Sequence, residues 1–197
     1  MRVIAGKAKG KKLRAPRGMK TRPITDMIKE ALFNVLGPRI YEAAFLDLFA
    51  GSGSVGIEAL SRGARPVFFV DNDKTATGVI AENIRNCNFL EGFDIYCQDV
   101  FSSLKVLERH AAQFDYIYVD PPFTQESVFA KIMIALGPAQ LLAPGGLAIL
   151  RTQRKMDMLD TYGNLSRIRI TQYGESVLHY YHLDKEEKGN DGDISSS

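Results

Sequence analysis

The sequence is poor in the residues that build disulfide frameworks and metal sites. It has 2 cysteines, Cys87 and Cys97, and 3 histidines among 197 residues. The cysteines lack a Cys-x-x-Cys spacing, so we expect unpaired thiols rather than a disulfide or a zinc site. His179 and His182 lie three residues apart in a predicted strand and would point to opposite faces. We therefore expect no metal.

Long apolar runs and an apolar leader segment are also missing. No apolar stretch approaches the ~18 residues that cross a bilayer, and the basic N-terminus has no apolar segment behind it. Hydrophobic residues still make up 45% of the sequence, enough to bury one substantial core. We expect a soluble, cytoplasmic, monomeric protein with no membrane partner.

Acidic residues are absent from the first 25 positions, although the net charge is only +2. A charge run is most often a solvated face, but basic residues also grip phosphates. By contrast, residues 184–197 are polar, acidic and nearly free of apolar side chains, which predicts disorder. We expect a basic N-terminal extension (1–25), a main domain (26–183) and a disordered tail (184–197).

Apolar strands and amphipathic helices alternate through the main domain. The first predicted helix begins at Asp26, a plausible N-cap. The alternation predicts an α/β fold with a parallel sheet covered by helices on both faces. Residues 167–172 and 176–183 flank a short turn and predict an antiparallel pair that closes the sheet.

A glycine-rich turn follows the first predicted strand of the main domain. Gly51, Gly53 and Gly56 match the pattern GxGxxG, which by itself is weak and usually indicates a dinucleotide on a helix N-terminus. Asp47 argues against that ligand, because a carboxylate repels a diphosphate but attracts the sulfonium and ammonium of S-adenosylmethionine. Its alternative role is to accept hydrogen bonds from the loop's own amides. The predicted cofactor site also includes Phe49 and Ala50.

Two further acids follow the next two strands. Asp71, 20 residues past Gly51, is placed to accept from ribose hydroxyls, with Asn72 beside it. Asp99, followed by Val100, is placed to accept from an adenine amino group. Either acid is alternatively a helix cap.

The tetrapeptide Asp120-Pro121-Pro122-Phe123 ends the fourth strand with a polar clamp and an aromatic ring. The prolines lack N–H groups and stiffen the backbone, while their carbonyls remain free to accept. Asp120 supplies a second acceptor, and Phe123 offers a ring for stacking. These acceptors and the ring would suit a planar NH₂ group. The alternative is that the tetrapeptide is only a stiff loop with Phe123 in the core.

The order of these parts resembles class I S-adenosylmethionine-dependent methyltransferases. Residues 2–6, 12–16, 21–23, 29–34 and 47–53 further resemble the bacterial RsmD family. That resemblance covers residue 1 to about residue 183. Asp71 departs mildly from the family, whose members often have Glu there.

The resemblance implies a seven-stranded sheet with its last strand antiparallel and methylation of the N2 amine of a guanine in small-subunit ribosomal RNA. Asp120 and the Pro121 carbonyl would hold the amine while Phe123 stacks the base. The RNA is expected either free, within an assembling 30S particle or in a complete one. The basic extension would bind phosphates through Lys7, Lys9, Lys11, Lys12, Arg14, Arg17, Thr21 and Arg22.

Other functions remain open from the residues alone. Adenine N6 in DNA and a glutamine amide in protein also present NH₂ groups to similar clamps. A nucleic-acid-binding module with a vestigial pocket and a nicotinamide-dependent oxidoreductase are the remaining alternatives.

Overall fold

In the part of the chain that the structure describes, one mixed sheet of 8 strands forms the centre of the molecule. The computed structural model describes residues 1–16, 24–123 and 126–184. The strands are β1 (Phe45–Leu48), β2 (Val67–Asp71), β3 (Phe93–Cys97), β4 (Phe114–Val119), β5 (Leu142–Gln153), β6 (Thr161–Tyr162), β7 (Leu165–Tyr173) and β8 (Ser176–Leu183).

The strands are arranged in the order β3-β2-β1-β4-β5-β8-β7-β6. The first five pair in parallel, and β8 pairs antiparallel with both β5 and β7. This confirms the predicted α/β fold and its closing antiparallel pair. The sheet has one strand more than the seven expected, because the two-residue β6 pairs with the outer edge of β7.

Helices cover both faces of this sheet. They are α1 (Asp26–Leu36), α2 (Ser54–Ser61), α3 (Lys74–Asn86), α4 (Val100–Arg109) and α5 (Glu126–Leu136), with a 3₁₀ helix at Gly37–Ile40. Because side chains alternate along a strand, each strand contributes side chains to two hydrophobic cores, one on each face of the sheet. Phe45 of β1 packs in the core with α1, α2 and α3, while Leu46 packs in the core with α4 and α5.

The N-cap of the first helix lies one residue earlier than its sequence suggests. Thr25 is the N-cap, and its side chain accepts a hydrogen bond from the backbone N–H of Ile28. The prediction of Asp26 as the N-cap is wrong. Asp26 instead occupies the first turn, where a carboxylate interacts favourably with the helix dipole.

The described part of the basic extension, residues 1–16, packs against α2 and α3. Val3, Ala8 and Leu13 are buried in the core that contains those helices. An isolated antiparallel bridge joins Arg2 and Lys12 within this segment. Residues 185–197 of the predicted disordered tail lie outside the described residues.

Candidate active site

A cleft opens at the carboxyl ends of β1 and β4, where the chain order reverses within the sheet. Ligands of open α/β sheets bind at this switch point. The cleft encloses about 590 Å³, part of it open to solvent. Its walls are formed by Met1, Ala15, Ile24, Asp47, Phe49, Ala50, Gly51, Ser52, Ser54, Val55, Tyr118, Asp120, Pro121, Phe123 and Arg151.

We call the wall formed by residues 47–56, together with Asp71, which hydrogen-bonds to it, the glycine-loop half of the cleft. Its backbone is left-handed at Gly51 and Gly53 and also at Phe49, where φ is 61°. A non-glycine residue in that region costs on the order of 1 kcal/mol or more and is most often retained at a functional site. Gly56 is required for a different reason, since a Cβ there would lie 2.2 Å from the ring of Phe69.

Asp47 supports this loop from below. Its side chain is 2% exposed, and its Oδ2 atom accepts from the Gly56 N–H at 2.9 Å. Burial raises the pKa of Asp47 well above its ordinary value, although the Gly56 hydrogen bond opposes the shift. The alternative role, acceptance from the loop's own amides, is therefore observed, and Asp47 is also one of the residues that line the cleft.

Asp71 braces the same loop from the end of β2. It accepts from the Gly51 N–H at 2.8 Å through Oδ2 and from the Asp73 N–H at 2.9 Å through Oδ1. Burial raises the pKa of Asp71, and these backbone hydrogen bonds work in the opposite direction. The cap of α3 is Asp73, not Asp71. Asp71 is half-buried beside the loop, and Asn72 next to it is exposed.

Asp99 lies further from the loop and caps a helix. Its Oδ1 atom accepts from the Ser102 N–H at 2.9 Å, which makes it the N-cap of α4. Val100 is the first residue of that helix and is buried. The helix-capping role considered for Asp99 from its sequence is therefore observed. Asp99 is exposed, and its Oδ1 atom makes the capping hydrogen bond.

We call the opposite wall, formed by Tyr118, residues 120–123 and Arg151, the Asp120 half of the cleft. The Oδ2 atom of Asp120 accepts from Arg151 Nη1 at 2.8 Å and from the Tyr118 hydroxyl at 3.1 Å. Burial raises the pKa of Asp120, and both partners lower it. The Tyr118 pKa is raised well above its ordinary value by burial and by the Asp120 charge.

Phe123 completes the Asp120 half. Its ring lies parallel to the ring of Phe129, with centroids 6.2 Å apart, and the guanidinium carbon of Arg151 lies 5.2 Å from its centroid. Pro121 and Phe123 line the cleft. Pro122 is half-buried and is not among the lining residues described.

The basic extension is attached to the glycine-loop half by buried polar groups. Glu58 on α2 is fully buried and accepts from the N–H groups of Ile4 at 2.8 Å and Ala5 at 3.0 Å. It also pairs with Lys29 and Arg62. Because a buried carboxylate needs such partners, Glu58 fixes the backbone of the extension on α2.

Asn83 on α3 joins the extension to the glycine loop directly. Its amide nitrogen donates to the carbonyl oxygens of Arg14 and Ser52, both at 2.9 Å, and its oxygen accepts from the Arg14 N–H. Met1 and Ala15 of the extension line the cleft as a result. The extension is thus a wall of the site as well as a basic surface.

Five of the predicted RNA-binding residues are described and exposed: Lys7, Lys9, Lys11, Lys12 and Arg14. Arg14 also pairs with Glu82 at 3.3 Å. Arg17, Thr21 and Arg22 lie outside the described residues.

Sequence reasoning missed Arg151 and Tyr118 as members of the site. Arg151 directly follows an apolar stretch of the sequence, which is a partial signal. Its place beside Asp120 depends on the strand register, in which Val119 of β4 pairs with Leu150 of β5. An arginine that follows an apolar strand at the level of a cleft carboxylate is a candidate partner for it. Glu58 was also missed, and its local sequence gives no such signal.

Within the described ranges, no group of three or more His, Cys, Asp and Glu side chains is placed to hold a metal ion. In the same part of the chain, no helix combines the length and apolar character needed to cross a bilayer.

Comparison with known proteins adds family membership to this geometry. A family model described as Conserved hypothetical protein 95 matches residues 1–182. YlbH of Bacillus subtilis is 36% identical over 181 residues, which cover 92% of this chain and 98% of YlbH. A protein of Haemophilus influenzae named ribosomal RNA small subunit methyltransferase D is 34% identical over 161 residues, covering 81% of this chain and 82% of that protein.

The fold is shared with a solved relative. The structure of YhhF from Escherichia coli superposes with a TM-score of 0.79 at 28% identity, over 93% of this chain and 98% of that chain. The family model's match begins at residue 1 and therefore includes the basic extension as well as the sheet.

Proposed function

The chain belongs to the RsmD family of class I methyltransferases, and on this premise we propose that it transfers a methyl group from S-adenosylmethionine to the N2 amine of a guanine in small-subunit ribosomal RNA. The name of the Haemophilus influenzae relative supports the RNA class. The observation that carries the proposal is that Asp120 and the glycine loop line one cleft.

The residues of the glycine-loop half fit S-adenosylmethionine better than a dinucleotide. Asp47 and Asp71 place two carboxyl groups at the loop, which favours a cation and disfavours a diphosphate. In the described lining the basic side chain is Arg151, which is paired with Asp120. S-adenosylmethionine carries a sulfonium and an ammonium and no phosphate, so its charge matches this wall.

Each predicted cofactor-binding residue then has a proposed role in holding the donor. Asp71 would accept from the ribose hydroxyls with the lone pairs that the loop amides leave, and Asn72 lies beside it. Asp99 would accept from the adenine amino group, and Val100 would border the ring. The backbone of Phe49, Ala50, Gly51 and Gly53 would border the methionine part, with Asp47 below it.

The Asp120 half would hold the amine that receives the methyl group. Asp120 and the Pro121 carbonyl are two acceptors for the two N–H bonds of an NH₂ group. Guanine N2 is a poor nucleophile because its lone pair is delocalised into the ring. Acceptors that orient both hydrogens favour a more tetrahedral nitrogen with an available lone pair, and positioning against an electrophilic carbon supplies much of the acceleration.

The electron count of the step is simple. When bound, S-adenosylmethionine supplies a methyl group on a sulfonium, whose sulfur keeps the bonding pair as the new N–C bond forms. The nitrogen gains a positive charge and releases one proton. Asp120, which accepts from that N–H, is the nearest base, and water is the other acceptor.

The basic extension would bind the RNA backbone. Its exposed lysines would contact phosphates and release counterions, which gives affinity that falls steeply with salt but reads little sequence. A guanine in a paired or stacked segment would turn out into the cleft to reach Asp120.

Incubation with methyl-labelled S-adenosylmethionine and separate pools of ribosomal RNA, DNA and protein tests the proposal. We expect label on small-subunit RNA and, after digestion to nucleosides, on N2-methylguanosine. Label only on DNA would favour adenine N6, and label only on protein would favour a glutamine amide. Binding of NAD in place of S-adenosylmethionine in a thermal-shift comparison would contradict the donor.

A further inference from the structure

Arg151 is a charged side chain that is almost fully enclosed beside the predicted reaction centre. It is 2% exposed, at the end of β5, and its Nη1 atom lies 2.8 Å from Asp120 Oδ2. Its remaining nitrogens lie 3.4 and 3.5 Å from the hydroxyl of Ser176, at the start of β8. Burying a guanidinium is costly unless its partners are well placed, so the surrounding strands fix its position.

The position follows from the register of the parallel strands. Val119 pairs with Leu150, which brings the next residue of each strand to the same level and the same face. Tyr118 lies on that face of β4 and donates to the same Oδ2 atom. Two donors therefore hold one oxygen of Asp120.

The other carboxyl oxygen of Asp120, Oδ1, differs from Oδ2 in its hydrogen bonding. Among the described residues, no hydrogen-bond donor contacts its Oδ1 atom. Asp120 is 19% exposed and lines the cleft. One carboxyl oxygen is thus fixed from behind, and the second is free of donors from residues 1–16, 24–123 and 126–184.

We propose that Arg151 is a positioning residue for methyl transfer, which fixes Asp120 through Oδ2 so that Oδ1 accepts from the substrate amine. This inference rests on the proposed function. The guanidinium carbon of Arg151 also lies over the Phe123 ring, 5.2 Å from its centroid, so one side chain orients both groups assigned to the substrate base.

Charge gives Arg151 a second effect on Asp120. The carboxyl group is faced by Arg151 from β5, by Tyr118 from β4 and by the carboxyl group of Asp47 from β1. Burial raises the pKa of Asp120, while Arg151 and Tyr118 lower it. Arg151 therefore keeps Asp120 ionised to lower pH, the form that accepts from an N–H.

The test is a pH series of single-turnover methyl transfer to small-subunit ribosomal RNA. Removing the guanidinium in Arg151→Gln should raise the pKa of Asp120, so the acid limb of the rate should move to higher pH by about one unit or more. The rate at neutral pH should fall by about 100-fold. Affinity for S-adenosylhomocysteine, measured by calorimetry, should change less than about twofold because the glycine-loop half is intact.

Two conservative variants separate positioning from packing. Arg151→Lys keeps the charge and should restore the acid limb but only part of the rate, because an ammonium cannot repeat the planar contacts. Tyr118→Phe removes one hydrogen-bond donor to Asp120. The acid limb of the rate should then move to higher pH, but by less than in Arg151→Gln. Arg169→Gln, an exposed arginine on β7, is the matched control and should match the wild type.

An acid limb that stays in place in Arg151→Gln, with the rate reduced equally at every pH, would leave Arg151 only a packing role and overturn the proposal. Should Arg151→Gln fail to fold, an acid limb that does not move in Tyr118→Phe, together with a fully wild-type rate in Arg151→Lys, would overturn it as well. If the wild-type protein methylated another amine, the proposed function would fail, and the same series on that amine would still decide the role of Arg151.

Discussion

Carboxyl groups lie in both halves of the cleft, but different kinds of donor hold them. In the glycine-loop half, Asp47 and Asp71 accept from backbone N–H groups of the loop itself. In the Asp120 half, Asp120 accepts from the side chains of Arg151 and Tyr118. Asp47 and Asp71 therefore hold the backbone of the loop in place. The pKa of Asp120, by contrast, is lowered by the side chains of Arg151 and Tyr118.

This difference predicts that the two halves respond separately to substitution. Changes in the glycine-loop half should alter folding and donor binding together, because Asp47 and Asp71 accept from the loop amides and Asn83 joins the extension to the loop. Changes in the Asp120 half should alter the chemical step and leave donor binding in place. The following substitutions test that separation, from the largest expected effect to the smallest.

The largest effect is expected from Asp120→Ala. Loss of the acceptor for the substrate amine should lower the single-turnover rate by about 1000-fold. Affinity for S-adenosylhomocysteine, measured by calorimetry, should stay within about twofold of the wild type. A fully active variant would remove Asp120 from the mechanism.

Asp71→Ala is the counterpart in the other half. It removes the acceptor of the Gly51 N–H and the proposed acceptor of the ribose, so donor affinity should fall by about 10-fold or more. The rate at saturating donor should fall much less. The same calorimetric and kinetic measurements apply, and an unchanged donor affinity would contradict the ribose role.

Glu58→Ala should cause the largest loss of folding stability. It leaves Lys29 without its buried carboxylate and two N–H groups of the extension without their acceptor, so the free energy of unfolding should fall by about 3–5 kcal/mol in a denaturant titration. Glu82→Ala removes an exposed ion pair with Arg14 and should cost less than about 1 kcal/mol. Equal losses in the two variants would show that the extension is not fixed by Glu58.

Gly56→Ala tests the close contact beneath the loop. The added Cβ would lie 2.2 Å from the Phe69 ring, and the overpacking should cost about 1–3 kcal/mol. Gly78→Ala is the matched control in α3, where a Cβ meets nothing within 4 Å and should stabilise the helix by up to about 1 kcal/mol. Thermal denaturation of both variants measures the contrast, which would vanish if the helix could shift away from β2.

Asp47→Asn should have the smallest effect and a characteristic pH dependence. Because burial raises the pKa of Asp47, its ionised form destabilises the folded state as pH rises above the ordinary carboxyl range. Asparagine keeps the acceptor for the Gly56 N–H without the charge, so stability at neutral pH should rise by on the order of 1 kcal/mol. The gain should disappear at a pH below the ordinary carboxyl pKa, where both states of the wild-type protein are protonated.

The same variant tests whether the Asp47 charge attracts the donor. Affinity for cationic S-adenosylmethionine should fall in Asp47→Asn, whereas the exposed Asp157→Asn should leave both stability and affinity unchanged. An unchanged affinity in Asp47→Asn would leave Asp47 with the loop-shaping role alone.

How much of this could be predicted from the sequence depends on the range of the contacts involved. Periodicity is a local signal, so the strands predicted at residues 167–172 and 176–183 were found as β7 and β8. Thr25 and Asp26 are both good capping residues, and the choice between them depends on the backbone entering α1. Local sequence does not resolve that choice.

Contacts between distant residues account for the rest. Arg151 and Asp120 are 31 residues apart and meet through strand register. Glu58 lies 53 residues from Ala5, whose N–H it accepts, so the burial of a basic extension could not be read from its charge. Family resemblance supplied the guanine N2 target, which no residue in the cleft specifies by itself.

The most direct test of the account is mass-spectrometric mapping of small-subunit ribosomal RNA after reaction with the purified protein and S-adenosylmethionine. The RNA should be offered free, in a partly assembled particle and in a complete subunit, with Asp120→Ala as the inactive comparison. We predict one methyl group on N2 of a single guanine in at least one form, and none with Asp120→Ala. Methylation of a different base atom, or an unchanged product with Asp120→Ala, would contradict the account.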